Sequence, residues 1–200
     1  TVEDIVAGAR VMRANVNAVS APADVVDTCG TGGLGWTSLN TSTAAAIVAA
    51  GAGAVVAKHG NRSAPPKTGS ADILEALGVN LTPTDEQAAA CLRDAGLLFM
   101  FAQAHHSAVR HVAPARKALG IRTIFNLLGP LTNPAGARRQ LLGVFGEEWV
   151  EPMAHALLSL GAEKAWVVHG VGGIDEISTF GPTRVAEVAE GAVRLFEIPF

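Results

Sequence analysis

The order of elements along this chain predicts an α/β layer protein with a mostly parallel central sheet flanked by helices. Two observations carry that prediction. Strand-like apolar runs alternate with helical periods from end to end. The first strand–loop–helix–strand unit, residues 25–58, implies a right-handed parallel crossover. The composition agrees: 200 residues, 49% hydrophobic and 16% charged, are enough for one sizeable core, and the excess of alanine and glycine suits closely packed helix–sheet layers.

Each element has a local reason. Val2, Ile5, Val6, Ala9, Met12 and Val16 recur at helical spacing, and Pro22 closes the linker behind them. Val25 and Val26 open a strand that stops at Gly30. Ser42 or Thr43 is expected to cap the alanine-rich helix that follows, and Ala54–Lys58 reads as a second strand. Pro65-Pro66 marks a loop, and Asp72–Leu77 a short helix ended by Gly78. Thr84 and Gln87 form a capping box for a helix reaching Ala95, with Gly96 as its stop. Leu97–Phe101 is a buried-strand run. Ser107–Leu119 is helical, with Pro114 best placed in the first turn of a second helix. Pro130 and Pro134 predict a loop around Asn126–Ala137. Then come a strand (Gln140–Phe145), a helix (Trp149–Leu160), a strand (Ala165–His169) and a final stretch that alternates like antiparallel strands.

The totals exclude several classes. The net charge of −3 and the absence of a basic patch argue against a nucleic-acid partner. The two cysteines, Cys29 and Cys91, lack metal or disulfide spacing, which suggests a reducing compartment. No signal peptide is evident, and the most apolar stretch, Ala44–Ala57, is too short and glycine-rich to span a bilayer. A start without Met and an end in a strand-like Pro199-Phe200 read as the middle of a longer protein.

The segment from Asp27 to Arg62 carries the chemistry. Glycines 30, 32, 33 and 35 precede a hydroxyl-rich run (Thr37, Ser38, Asn40, Thr41, Ser42, Thr43), and Lys58, His59, Asn61 and Arg62 arrive together after the second strand. Glycine N–H groups and a helix N-terminus form an anion nest, so a polyanionic small molecule is the expected ligand. Gly30, Gly32 and Gly35 match a dinucleotide fingerprint, but the helix begins well after them and the second strand ends in Lys58 rather than an acid. Asp175-Glu176 follows a strand and a glycine turn; the pair either faces water or holds Mg²⁺ beside a pyrophosphate. Arg116 shares a helix face with Val112, Ala113 and Leu119, where a guanidinium either snorkels or meets an anion such as a carboxylate.

In order, GTGG and NTST, KHGNR, KTGSADILEALGVN, FAQAHHSAVRHVAPARKALGIRTIFNLLGPLTNP and GIDEIS resemble the anthranilate phosphoribosyltransferases, enzymes of tryptophan synthesis. The pyrimidine nucleoside phosphorylases are a neighbouring class of similar fold. The resemblance implies a nucleoside phosphorylase/phosphoribosyltransferase-like fold: a small discontinuous helical domain from residues 1–21 and 107–134, and an α/β domain from residues 22–106 and 135–200 that binds phosphoribosyl pyrophosphate. It implies transfer of the phosphoribosyl group to the amine of anthranilate. A nucleoside phosphorylase and a non-catalytic phosphate- or NADP-binding module are the competing readings.

By the same resemblance, Gly30, Thr31, Gly32, Gly33, Ser38, Asn40, Ser42, Thr43, Lys58, Asn61 and Ser70 would bind the phosphoribosyl donor. Gly30, Asn61, His106 and Arg116 would serve anthranilate, with Arg116 on its carboxylate. Ser42, Asp175 and Glu176 would hold Mg²⁺, two ions per subunit. A cytoplasmic homodimer is implied, without membrane or nucleic acid, and association with anthranilate synthase subunits is admitted. Leu34 departs from the family pattern, which has Asp there.

Overall fold

The computed structural model of the chain describes residues 1–32, 39–63 and 68–200; the loop expected at Pro65-Pro66 lies outside them. Helix α1 (Val2–Ala14) starts at a capping box between Thr1 and Asp4. Strand β1 (Val26–Gly30) leads to α2 (Thr41–Gly51) and β2 (Val56–Gly60). Next come α3 (Ser70–Ala76), α4 (Asp85–Ala90) and β3 (Leu97–Phe101). Three short helices follow: α5 (Ala102–His105), α6 (Ala113–Leu119) and α7 (Phe125–Leu128). The chain then forms β4 (Arg139–Gly143), α8 (Val150–Ser159) and β5 (Lys164–Gly170), and ends in the hairpin β6 (Thr183–Ala189) and β7 (Ala192–Ile198).

One sheet contains all seven strands, in the order β3-β2-β1-β4-β5-β6-β7. Strands β1 to β5 are parallel, and β6 and β7 join antiparallel, as the alternation at the end of the chain predicts. The chain leaves β1 toward β2 and β3, then returns to β1's other side with β4. That reversal makes the carboxyl ends of β1 and β4 a topological switch point, the place where open α/β sheets bind their ligands.

Period-2 alternation divides the core. On β3, Leu98 and Met100 join Ala88 and Leu92, while Phe99 turns the other way to meet Ala71, Leu74 and Leu81. The largest cluster packs Ile5, Val6 and Ala9 of α1 and Leu127 and Leu128 of α7 on Met153 and Leu157 of α8, over Leu142 and Val167 of the sheet.

Two local expectations need correction, and a third holds with a change of helix type. The cap of α2 is Asn40, earlier than Ser42 or Thr43, and its side chain makes no capping bond. Ser42 is instead drawn toward the sheet, its carbonyl accepting from Thr28 Oγ1 at 2.8 Å. The helix begun at Asp85 reaches Ala95 only by widening into a π-turn over Cys91–Ala95, before Gly96 stops it at φ 65°. The loop expected around Asn126–Ala137 begins helical, with α7 and a 3₁₀ turn (Gly129–Leu131), because Leu127, Leu128 and Leu131 are core residues.

Candidate functional site

Strand β1 ends at Gly30, and the turn beyond it is held on both sides. Thr31 N–H donates to the Gly143 carbonyl at 2.9 Å, and Thr31 Oγ1 accepts from Phe145 N–H at 2.9 Å. Gly32, at φ 63°, donates its N–H to Asp175 Oδ2 at 3.0 Å. The glycines are sterically required. A Cβ on Gly30 would stand 2.7 Å from Asp175 Oδ2, and one on Gly143 would fall 1.7 Å from the Asp175 carbonyl oxygen. The nest at the end of β1 therefore touches the acidic turn that leaves β5.

That turn carries two carboxylates of unlike burial. Asp175 is buried and Glu176 half-buried. Burial, and secondarily the charge of Asp175, pushes Glu176 up to about 7. Burial also raises Asp175, opposed by the Gly32 N–H and by the charges of His169 and Arg122. Two carboxylates raised by desolvation and, for Glu176, by its neighbour's charge fit a divalent cation, which would offset both costs. Among the described residues no three His, Cys, Asp or Glu side chains converge as a ready-made metal site. A cation at Asp175 and Glu176 would complete its shell with water and with the oxygens of its anion.

On the other side of β1, Lys58 is buried, 2% exposed. Its Nζ donates to the Thr28 carbonyl and to Ser42 Oγ, the latter at 3.1 Å. Burial lowers the Lys58 pKa, and Asp27 is the first charge that pulls it back. Asn40 stands at the N-terminus of α2, and Thr43 is buried with its hydroxyl unbonded. Asn61 is exposed and Ser70 half-buried, where Ser70 Oγ donates to the Asn61 carbonyl at 3.3 Å. Gly33 and Ser38, both expected to meet the donor, lie outside the described residues, as does Leu34.

The acceptor-side residues are less gathered. His106 is buried, with Nε2 3.2 Å from Nε2 of His59. Burial brings His59 down to about 3 and lowers His106 as well. Arg116 is half-buried, its guanidinium 5.3 Å from the Phe125 ring centre. No ion pair to Arg116 occurs among the described residues. Arg62, which the cationic-loop pattern grouped with Lys58, is tied instead to Asp72 and Glu75 of α3 at 2.8 Å each.

Sequence reasoning passed over Gly143, and it took His59 only as part of the cationic loop and Asp27 only as the start of that segment. Each left a signal: a glycine ending an apolar strand, a histidine beside Lys58, and an acid inside the apolar run of β1.

Comparison with known proteins places these features in context. Residues 22–199 match the model of the glycosyl transferase family, a/b domain. The anthranilate phosphoribosyltransferase of Hyphomonas neptunium is 61% identical over 198 residues, covering 99% of this chain and 58% of that protein. That of Rubrobacter xylanophilus is 60% identical, with the same coverages. The crystal structure of the Thermus thermophilus enzyme superposes with a TM-score of 0.90 at 49% identity, over 99% of this chain and 59% of that one. The Saccharomyces cerevisiae enzyme in complex with PRPP and Mg gives 0.87 at 30% identity, over 99% and 55%. The chain thus spans less than two thirds of the length of these relatives.

Proposed function

The chain belongs to the glycosyl transferase family whose a/b domain it matches, and from that premise we propose that it transfers a phosphoribosyl group from phosphoribosyl pyrophosphate to the amine of anthranilate. The observation that carries this reading is the meeting, at the carboxyl ends of β1 and β5, of a glycine nest with the Asp175–Glu176 pair, next to the Lys58–Ser42 contact.

The residues divide the work. Gly30, Thr31, Gly32 and Gly33 would surround the pyrophosphate, with Asn40, Ser42 and Thr43 at the start of α2. Lys58 would add positive charge where the leaving group's negative charge develops. Asp175, Glu176 and Ser42 would hold Mg²⁺, two ions per subunit, and bound Mg²⁺ would neutralise the departing pyrophosphate. Arg116 would pair with the anthranilate carboxylate, while His106, Asn61 and Gly30 border the acceptor. The aryl amine is neutral at pH 7 and attacks C1 of the ribose as pyrophosphate leaves. Positioning and electrostatics then carry most of the rate, and no strong base is needed.

Residues 1–21 and 107–134 would form the small helical part, and the rest the donor-binding part, of a cytoplasmic homodimer. An NADP module is disfavoured because Arg62, one of the two cations it would set on a 2′-phosphate, is paired with Asp72 and Glu75 of α3. Calorimetric titration with phosphoribosyl pyrophosphate, with and without Mg²⁺, tests the reading: binding should require Mg²⁺. Equal binding in its absence would overturn it.

A further inference from the structure

Strands β1 and β2 are parallel neighbours, yet their regular pairing is confined to Val26 and Val56. The flanking pairs β2–β3 and β1–β4 are in register along their whole lengths. In a parallel ladder, the rung after Val26–Val56 would join Thr28 N–H to the Ala57 carbonyl and His59 N–H to the Thr28 carbonyl. Side chains take these groups instead. His59 N–H donates to Asp27 Oδ1 at 3.1 Å, the Thr28 carbonyl accepts from Lys58 Nζ, and the Ala57 carbonyl accepts from Asn133 Nδ2 at 2.9 Å. The β1–β2 ladder is split beside the candidate site, and three buried polar side chains bond to its free backbone groups.

The charges in that split are far from water. Asp27 is 0% exposed and Lys58 2%. One oxygen of Asp27 serves His59; the other, Oδ2, makes no hydrogen bond. A buried carboxylate with one oxygen lacking a well-formed hydrogen bond is costly: burial raises Asp27, opposed first by the Lys58 charge and then by Asn133, His59 N–H and Cys29. The Asp27–His59 bond ties the end of β2 to β1 where the regular ladder between them is missing. Lys58, the residue before His59, lies on that strand end with its Nζ on the Thr28 carbonyl and Ser42 Oγ, and the Asp27 charge attracts it there.

We propose that Asp27 is a positioning residue for the donor site: with Asn133 it takes the place of ladder bonds between β1 and β2, and its charge helps hold the Lys58 ammonium on the Thr28 carbonyl and Ser42 Oγ, where the donor's phosphates are received. This inference rests on reading the site as one for phosphoribosyl pyrophosphate. It predicts an effect on the donor rather than a general loss. Replacement Asp27→Asn keeps the shape and an oxygen for His59 N–H but removes the charge that balances Lys58.

The experiment is a double-mutant cycle in the protein, with Asp27→Asn, Lys58→Met and the two combined. Michaelis constants for both substrates and the thermal midpoint of each variant are measured. Asp27→Asn should raise the donor constant about tenfold or more and move the anthranilate constant less than about threefold. In the Lys58→Met background, Asp27→Asn should add less than about a twofold change in the donor constant, because the group it acts through is gone. Equal effects on the two substrates, or independent, multiplicative effects of the two substitutions, would overturn the inference. If Asp27→Asn alone does not fold, the combined variant, which removes both buried charges, should recover folding; a combined variant that stays unfolded also overturns it. A wild-type protein that binds no donor would sink the reading of the site, and this inference with it. Normal wild-type binding with an unaffected Asp27→Asn would sink the inference alone.

Discussion

Arg116 is visible in the sequence as a charge on an apolar helix face, and in the structure it lies half-buried over the Phe125 ring. The ring favours the guanidinium but accepts no N–H bond in the plane, so its donors are free for a carboxylate. Arg116→Ala should raise the Michaelis constant for anthranilate by an amount equivalent to ~2–5 kcal/mol and leave that of the donor nearly unchanged. Steady-state kinetics with each substrate varied will check this, and equal effects would remove Arg116 from the acceptor site. His59 allows a test of stability. Its folded-state pKa of about 3 lies below the free value of 6.5 because the ring is buried against His106. Below pH 6.5 the unfolded chain binds a proton that the folded chain refuses, so stability falls as pH drops from 6.5 toward 3 and is fully present above 6.5. His106 acts in the same direction. Thermal midpoints at pH 7.5 and pH 5 should therefore differ more in the wild type than in His59→Gln. A difference unchanged by His59→Gln would show that other groups carry the acid sensitivity.

At the scale of elements, strands and helices announced themselves where period and punctuation agreed. The alternation of Leu98, Phe99 and Met100 between two helical layers, the capping box at Thr84 and the glycine stop at Gly96 all appear where the pattern puts them. The errors arose where tertiary contacts outweighed local propensity. Ser42 lost the cap to Asn40 because its backbone is anchored by Thr28 of β1, and prolines 130 and 134 hid α7, whose leucines are buried by α1 and α8. The close approach of β4 to the acidic turn could not be read from residue types, since it is a property of two segments distant in sequence. Gly143→Ala tests it. The added methyl would overlap the Asp175 carbonyl, 1.7 Å from the new Cβ, so the turn must move away from Gly32. The expected outcome is a rise of roughly tenfold or more in the Mg²⁺ concentration needed for half-maximal activity, with helix and strand content unchanged by circular dichroism, because positional errors of about 1 Å in a catalytic constellation are expensive. An unaltered Mg²⁺ requirement would mean that the turn does not serve the metal.

For the molecule as a whole, the site lies where the topology reverses, at the ends of β1 and β4, and draws on loops far apart in the chain. Its ingredients were legible one at a time: glycines, the Lys58 cluster, the acidic pair. Their assembly was not, because only the sheet order brings Asp175 to Gly32 and Lys58 to Ser42. The carboxylate pair decides between a built metal site and a mere turn. Burial raises both groups, and Glu176, at about 7, is far from the value of a solvated acid. A solvated turn would show no such cost. Holding two acids in this state destabilises the empty protein, so removing them should leave folding intact or improve it while depriving the leaving pyrophosphate of its counter-charge. The double variant Asp175→Ala/Glu176→Ala should therefore match or exceed the wild-type thermal midpoint, lose its tight Mg²⁺ dependence, and turn over at least about a hundredfold more slowly, in line with the several kcal/mol that metal charge stabilisation supplies. Activity titrated against Mg²⁺, together with a melting curve, measures both halves. A well-folded double variant with an unchanged Mg²⁺ response would assign the metal to the substrate and the Ser42 turn, and leave the acidic pair only its hydrogen bond to Gly32.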